Sequence, residues 1–337
     1  MMGAHPVKII ISCLLLFCLA GNSATAENKD RGIGIYIDQD LFVPFTNEDR
    51  DYTMGIAVEF FWAKDKGLYL FDSLVRETAR LLRMKDSDKN IAYSFMLGML
   101  AYTPNDLHNT QPIYNDRPYS SLVYLSNKRV RADDKIALAA EVLVGMIGTN
   151  ISRNIQSGLH SLFSDISKPR GWSHQISDGG ELTLRLRLSN SRLQFAETGL
   201  WDFATTYGVS LGFQTNLSAS AAFRIGNIKT PFWSIPYDPV SRGNFLPAPP
   251  ANEWYLWSAI RGHLVGYDAL LQGQFRDSDV EFSSNEIEPI VYDAAIGLTV
   301  GFEKSQITFS ANVKSPDLKI STRKHVWGSI NYIFHFK

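Results

Sequence analysis

Gln156 and His160 lie four residues apart in a 337-residue chain, and on a helix an i, i+4 pair points the same way. Ile155, Leu159, Leu162, Phe163 and Ile166 recur at spacings of three and four, which predicts a helix with one apolar face within 148–180. An amide and an imidazole beside such a stripe make a reactive edge on a lipid-facing helix, because imidazole exchanges protons near neutral pH. The same residues also fit a plain structural role, with His160 hydrogen-bonding a loop carbonyl. Polar runs accompany the pair: Asp38-Gln39-Asp40, then Asn47-Glu48-Asp49-Arg50-Asp51-Tyr52-Thr53-Met54-Gly55, then Tyr102-Thr103-Pro104-Asn105-Asp106, Asn115-Asp116-Arg117-Pro118-Tyr119-Ser120 and Gly171-Trp172 with Gln175. Taken singly, the carboxylates fit solvated loops, Tyr52-Thr53 and Tyr119-Ser120 fit strand starts with an interfacial aromatic, and Trp172 fits a girdle residue.

The elements that position these runs are strands. From Glu181 to Leu188 every second residue is leucine and the others are polar, which is the period of two of a half-exposed strand. Ile296, Leu298, Val300 and Phe302 alternate with small or polar residues, as do Ile307, Phe309, Ala311 and Val313. The chain closes on Gly328, Ile330, Tyr332, Phe334 and Phe336, one residue before Lys337. Similar segments lie near 32–38, 53–63, 92–102, 118–127, 135–147, 203–213, 217–226 and 253–264. Alternation over about ten residues marks a transmembrane barrel strand. The raw count is about fourteen; joining 191–198 to 203–213 and 253–264 to 268–275 gives twelve, and an even number suits a single-chain barrel. The fold class is therefore all-β, an antiparallel transmembrane barrel with a helix in one loop. With the N-terminus on the periplasmic side, connections 39–52, 103–117 and 148–179 face outward and carry nearly all the unusual polar sequence. The long connection 64–91 suggests a periplasmic amphipathic helix through Phe71, Leu74, Val75, Leu81 and Leu82.

Composition supports export. Lys8, the apolar run Ile9 to Leu19 and the small-x-small site Ala24-Thr25-Ala26 read as a signal peptide over residues 1–26, leaving a barrel domain over 27–337. Cys13 and Cys18 both lie in that leader, so no disulfide is expected in the mature chain. Losing Lys8 leaves 32 basic against 34 acidic side chains, which gives no electrostatic case for nucleic acid. After Ala26 there is no apolar run long enough for a membrane helix. Zinc-type Cys/His spacing, a phosphate-cradling glycine loop and a nucleotide fingerprint are absent. Gly208-Val209-Ser210-Leu211-Gly212 fits the nucleophile-elbow pattern, but it sits in an alternating β segment where an elbow needs a strand-to-helix turn.

In this order the polar runs resemble the outer-membrane lipid A 3′-O-deacylases, a twelve-stranded barrel family, over most of the mature chain. The resemblance implies an outer-membrane enzyme whose site, between barrel wall and loop helix, faces the extracellular leaflet. It implies calcium-dependent removal of the 3′-linked acyloxyacyl chain, with lipid A or lipopolysaccharide as the partner. His160 matches the histidine that activates water, Gln156 the glutamine one turn earlier, Thr53 the threonine of the Asp-Arg-x-x-Tyr-Thr-x-Gly-like run, and Asp40 an aspartate of the metal-associated pair. Gln39 stands where an asparagine is usual, keeping the amide oxygen and adding a methylene. No lysine lies between Thr103 and Arg117, where some members place one near the substrate phosphate; Arg117 or Arg153 is the available substitute, and Arg117 and Trp172 are the candidate substrate-binding residues. Calcium favours oxygen ligands, which Asp40 and Gln39 supply. Two other readings stand: a barrel hydrolase of another lipid, such as a phospholipid, and a non-catalytic barrel or pore plugged by the loop helix.

Overall fold

The computed structural model describes residues 31–42, 51–63, 77, 80, 91–162, 169–234 and 252–336, the side chains of 41, 63, 91 and 157–162 excepted. Its strands are β1 (Arg31–Gln39), β2 (Asp51–Ala63), β3 (Ile91–Thr103), β4 (Ser120–Ala132), β5 (Ile136–Ile147), β6 (Glu181–Glu197), β7 (Trp201–Gly212), β8 (Gln214–Asn227), β9 (Glu253–Asp268), β10 (Ile290–Gly301), β11 (Ser305–Lys314) and β12 (His325–Phe336). Each pairs with its sequence neighbours, and β1 pairs antiparallel with β12 from Arg31 opposite Phe336 to Gln39 opposite Gly328, so the sheet closes. Closure leaves no edge strand, which is what lets a β-sheet sit in hydrocarbon.

The alternation read from the sequence is the alternation of the wall. Leu97, Leu125, Val144, Leu182, Leu184, Leu211, Leu256, Ile260 and Ile296 are exposed on the outer surface. The inner positions carry polar and aromatic side chains that satisfy one another. Tyr36 donates to Glu59 at 2.5 Å, Arg224 to Asp202 at 3.0 and 2.5 Å, and Arg261 to Asp293 at 3.1 Å, while Arg185 reaches Glu141 at 3.3 Å. Buried charges persist when paired and hydrogen-bonded in this way. A polar interior under an apolar belt is the inversion expected of a membrane barrel.

Twelve strands stand, but the joins differ from the sequence expectation. Residues 191–197 continue β6 across a bulge in the β6–β7 pairing, before which Leu193 packs inside and after which Phe195 is exposed outside. Beyond Asp268, the last residue of β9, segment 269–275 is not strand. Asp268 caps the one-turn helix α2 (Ala269–Gln272) by accepting from the amide of Leu270 at 2.9 Å; α1 (Asn150–Leu162) precedes it in the chain. Ala269, Leu270 and Leu271 are all buried, so no face of this run is left polar and no alternation survives. With Ile176 and Phe213, Ala269 and Leu270 join the aromatic cluster inside the barrel and fill it at one rim. A residual interior cavity of about 100 Å³ lies beneath, lined by Arg185, Arg187, Arg261, His263 and Asp293 among others.

Odd-numbered connections, counted from β1–β2, emerge at this filled rim, and the described even-numbered ones at the opposite rim include the short turn 133–135. Within the long connection 64–90 only Glu77 and Arg80 are described; both are helical and ion-paired at 2.8 Å. The apolar residues expected to form a helix face there lie outside the described residues, as do Phe163 and Ile166. No described helix is long and apolar enough to cross a membrane. Ser210 of the elbow-like pattern lies inside β7, opposite Asn216, with another strand following.

Candidate functional site

At the filled rim the outer wall is covered rather than bare. Met99 and Ala101 of β3 share the outward register of exposed Leu97, yet both are buried. They lie under Leu107, Tyr119 and Trp172 from the connections above, with Met54 of β2 in the same cluster. The Tyr119 and Trp172 rings meet at 4.9 Å. Glycine is needed at 171, where a Cβ would come within 2.6 Å of the Tyr119 ring.

A bulge places Thr53 in this cover. Tyr52 stands opposite Tyr102 but Met54 stands opposite Ala101, so Thr53 is the extra residue of β2. Bulges re-aim side chains. Thr53 Oγ1 lies 2.7 Å from Thr103 Oγ1, both buried, while Tyr52 remains inside and donates to Asp38 at 2.6 Å. Gly55 makes room for that inner bond: a Cβ there would lie 2.0 Å from the Tyr52 hydroxyl. Gln39 is paired with Met54 on one side and Gly328 on the other, on the outward register of β1. Asp40, 2% exposed, begins the 3-10 turn Asp40–Phe42, whose Phe42 is seated on Gly328. Gln39, Asp40 and Thr53 therefore reach one rim on adjacent strands.

The cover over β3 and β4 is α1. Ser152 and Gln156, one turn apart, are buried, while Ile151 and Ile155 are exposed. The indole N–H of Trp172 donates to Gln156 Oε1 at 3.0 Å. The turn that carries Trp172 is tied to β4: Ser121 Oγ donates to Gln175 Oε1 at 3.0 Å, Gln175 Nε2 to Asp178 at 2.8 Å, and the amide of Ile176 to the Tyr119 carbonyl at 2.8 Å. His160 is in α1, one turn beyond Gln156; its side chain lies outside the described residues.

Arg117 occupies the other side of the wall. Its guanidinium covers the inward Tyr102 ring at 3.9 Å and pairs with Asp317, which also takes Lys314 at 2.7 Å. Burial alone would raise the Asp317 carboxyl, but Lys314 and Arg117 outweigh it and hold the group well below the usual carboxylate range. For Arg117, burial opposes the charge and Asp317 restores it, keeping the guanidinium protonated. Thr53, Gln156 and Trp172 are thus gathered on the outer wall, with Gln39 and Asp40 on the adjacent strand, and Arg117 is inside the mouth. Thr103, Ser121, Gln175 and Asp317 carry much of this arrangement. The runs containing Thr103 and Gln175 are visible in the sequence, but the partners Thr53 and Ser121 depend on the bulge and on turn geometry. Among the described residues no three His, Cys, Asp or Glu side chains form a cluster able to hold a metal ion.

A family model described as "Outer membrane protein LpxR" matches residues 9–336. The chain belongs to the LpxR family. LpxR from Salmonella typhimurium superimposes with a TM-score of 0.72 at 16% identity, covering 90% of this chain and 100% of that one. More distant barrels include the KdgM porin, with a TM-score of 0.40 at 6% identity over 91% of this chain and 99% of that one, and the beta domain of the Bordetella autotransporter Brka, with 0.43 at 8% over 91% and 99%. No curated protein matches. As an LpxR-family member the chain is an outer-membrane, membrane-embedded barrel.

Proposed function

We propose that this LpxR-family barrel is an outer-membrane carboxylic ester hydrolase that removes the 3′-linked acyloxyacyl chain of lipid A in the extracellular leaflet. The observation that carries the reading is the position of Thr53 and Gln156. Both are buried beneath the loop cover of the outer wall, Thr53 against Thr103 of β3 and Gln156 on the buried face of α1, rather than in the lumen. An acyl ester in the leaflet reaches that side of a barrel without passing through its interior.

The chain's residues divide the work by chemistry. His160, as neutral imidazole, takes a proton from water, and the resulting hydroxide adds to the ester carbonyl. Collapse of the tetrahedral intermediate expels the sugar hydroxyl, which recovers the proton from the imidazolium; a fatty acid and a free hydroxyl leave. Gln156 and Thr53 hold polar atoms of the reacting ester, and burial strengthens each such hydrogen bond. The donor set where β1 ends fits a hard cation: Asp40 offers a buried carboxylate and Gln39 an amide oxygen, with no sulfur or imidazole beside them in the sequence. Calcium held by Asp40 and Gln39 supplies Lewis-acid polarisation of the acyl carbonyl when bound. Arg117 stays in the mouth as the partner of Asp317, so recognition of a phosphorylated headgroup falls to other cations, Arg153 on the exposed side of α1 among them.

The test is mass spectrometry of lipid A after incubation with purified, detergent-folded protein, with calcium or chelator, beside His160→Ala. The expected result is a calcium-dependent mass loss equal to the 3′ acyloxyacyl group, absent in the variant. Unchanged lipid A from folded wild-type protein overturns the assignment.

A further inference from the structure

We propose that Trp172 is a positioning residue that fixes the amide of Gln156 with its N–H₂ group toward the ester. The inference rests on the esterase reading above and deepens it. An amide has two nearly isosteric ends, and which end faces a site is normally a matter of choice between two hydrogen-bond patterns. Here one partner removes the choice. The indole nitrogen of Trp172 only donates, so the atom it meets at 3.0 Å must be the oxygen of Gln156. The other end, Nε2, is then a donor by necessity.

That donor is buried and, among the described residues, has no hydrogen-bond partner. A donor left unmade in a buried position is costly, and proteins rarely leave one standing without a use. One turn earlier on the same buried face, Ser152 Oγ is in the same condition. The indole is itself immobile: Trp172 is 1% exposed, packed on Tyr119 and enclosed with Met54, Met99, Ala101 and Leu107. A rigid donor therefore holds the acceptor end of the amide and leaves the donor end for an acceptor that none of the described residues supplies. In the proposed reaction the acceptor is the acyl carbonyl oxygen, whose negative charge grows as hydroxide adds; donors fixed in advance at such a point stabilise the transition state more than the ground state.

Two substitutions separate this from simple packing. Gln156→Glu keeps an acceptor for the indole but removes the donor; kcat is expected to fall by about a hundredfold with KM little changed. Trp172→Phe keeps a ring in the cluster but frees the amide to turn, and kcat is expected to fall by about tenfold, again with KM held. Leu107→Val thins the same apolar cluster without touching the bond and is expected to keep kcat/KM within about twofold of wild type. Folding is read by the heat-dependent mobility of the barrel on gels. Gln156→Glu with a near-wild-type kcat, or Trp172→Phe no worse than Leu107→Val, overturns the positioning role while leaving the esterase intact. Wild-type protein that hydrolyses no acyl ester removes the esterase reading, and the positioning role with it.

Discussion

Thr53 shows how one residue out of register changes what a strand presents. In the inward register of Ala57 and Glu59 it would point into the lumen; the bulge turns it out, and its hydroxyl reaches Thr103 on the adjacent strand. Thr53→Ser is expected to keep the rate of lipid A deacylation within about threefold, and Thr53→Val to lower it by about tenfold or more, as loss of a polar contact at a reacting centre does. Asp317 makes a different kind of contribution. It neutralises Arg117 and Lys314 inside the mouth, so Asp317→Asn is expected to destabilise the folded barrel by about 3–5 kcal/mol, read from the temperature at which its gel mobility changes. Because the folded carboxyl is held below its ordinary value of 3.8, its contribution is complete above that pH and is lost as pH falls beneath it. The wild-type barrel should therefore weaken in acid below about pH 4, and the variant should show a flatter acid limb. Little of this was legible beforehand: a carboxylate 200 residues from its arginine leaves no local trace, and Arg117 read equally well as a substrate contact.

Among the elements, β1 and β12 do more than close the sheet. Gly328 of β12 is the floor on which Phe42 rests, and a Cβ there would come within 2.5 Å of the Phe42 Cβ. Gly328→Ala is expected to leave the strand pairing intact but displace the turn that starts at Asp40, weakening activation by calcium by about tenfold or more in a titration of activity, as disturbance of the support around a cation site does. Calcium activation unchanged in that variant would remove Asp40 from the cation site. The strands were the most legible part of the chain, since leucine at every second position from Leu182 to Leu188 admits no helical reading. The stretch 269–275 was misread for an equally physical reason. Ala269, Leu270 and Leu271 are surrounded by protein on all sides, and a one-turn helix is too short to show a period. Of the apolar stripe read from spacing only the side chain of Ile155 is described; it is exposed beside Ile151, while Ser152 and Gln156 are buried.

For the whole molecule, the polar lumen is a scaffold rather than a passage. Ion pairs between neighbouring strands line its inner wall, and Leu270, Ile176 and Phe213 fill the rim above. Reconstituted in planar bilayers, the protein is expected to show no steady conductance, while single-channel steps sensitive to the loop residues would restore the pore reading. The covered outer wall has a further implication. Thr53 and Gln156 face the side on which Leu97 and Leu125 meet hydrocarbon, and Ile151 and Ile155 lie open just above. A substrate arriving there travels in two dimensions. Turnover should then follow the mole fraction of acylated lipid in the surface and be unmoved by diluting the same vesicles in more buffer.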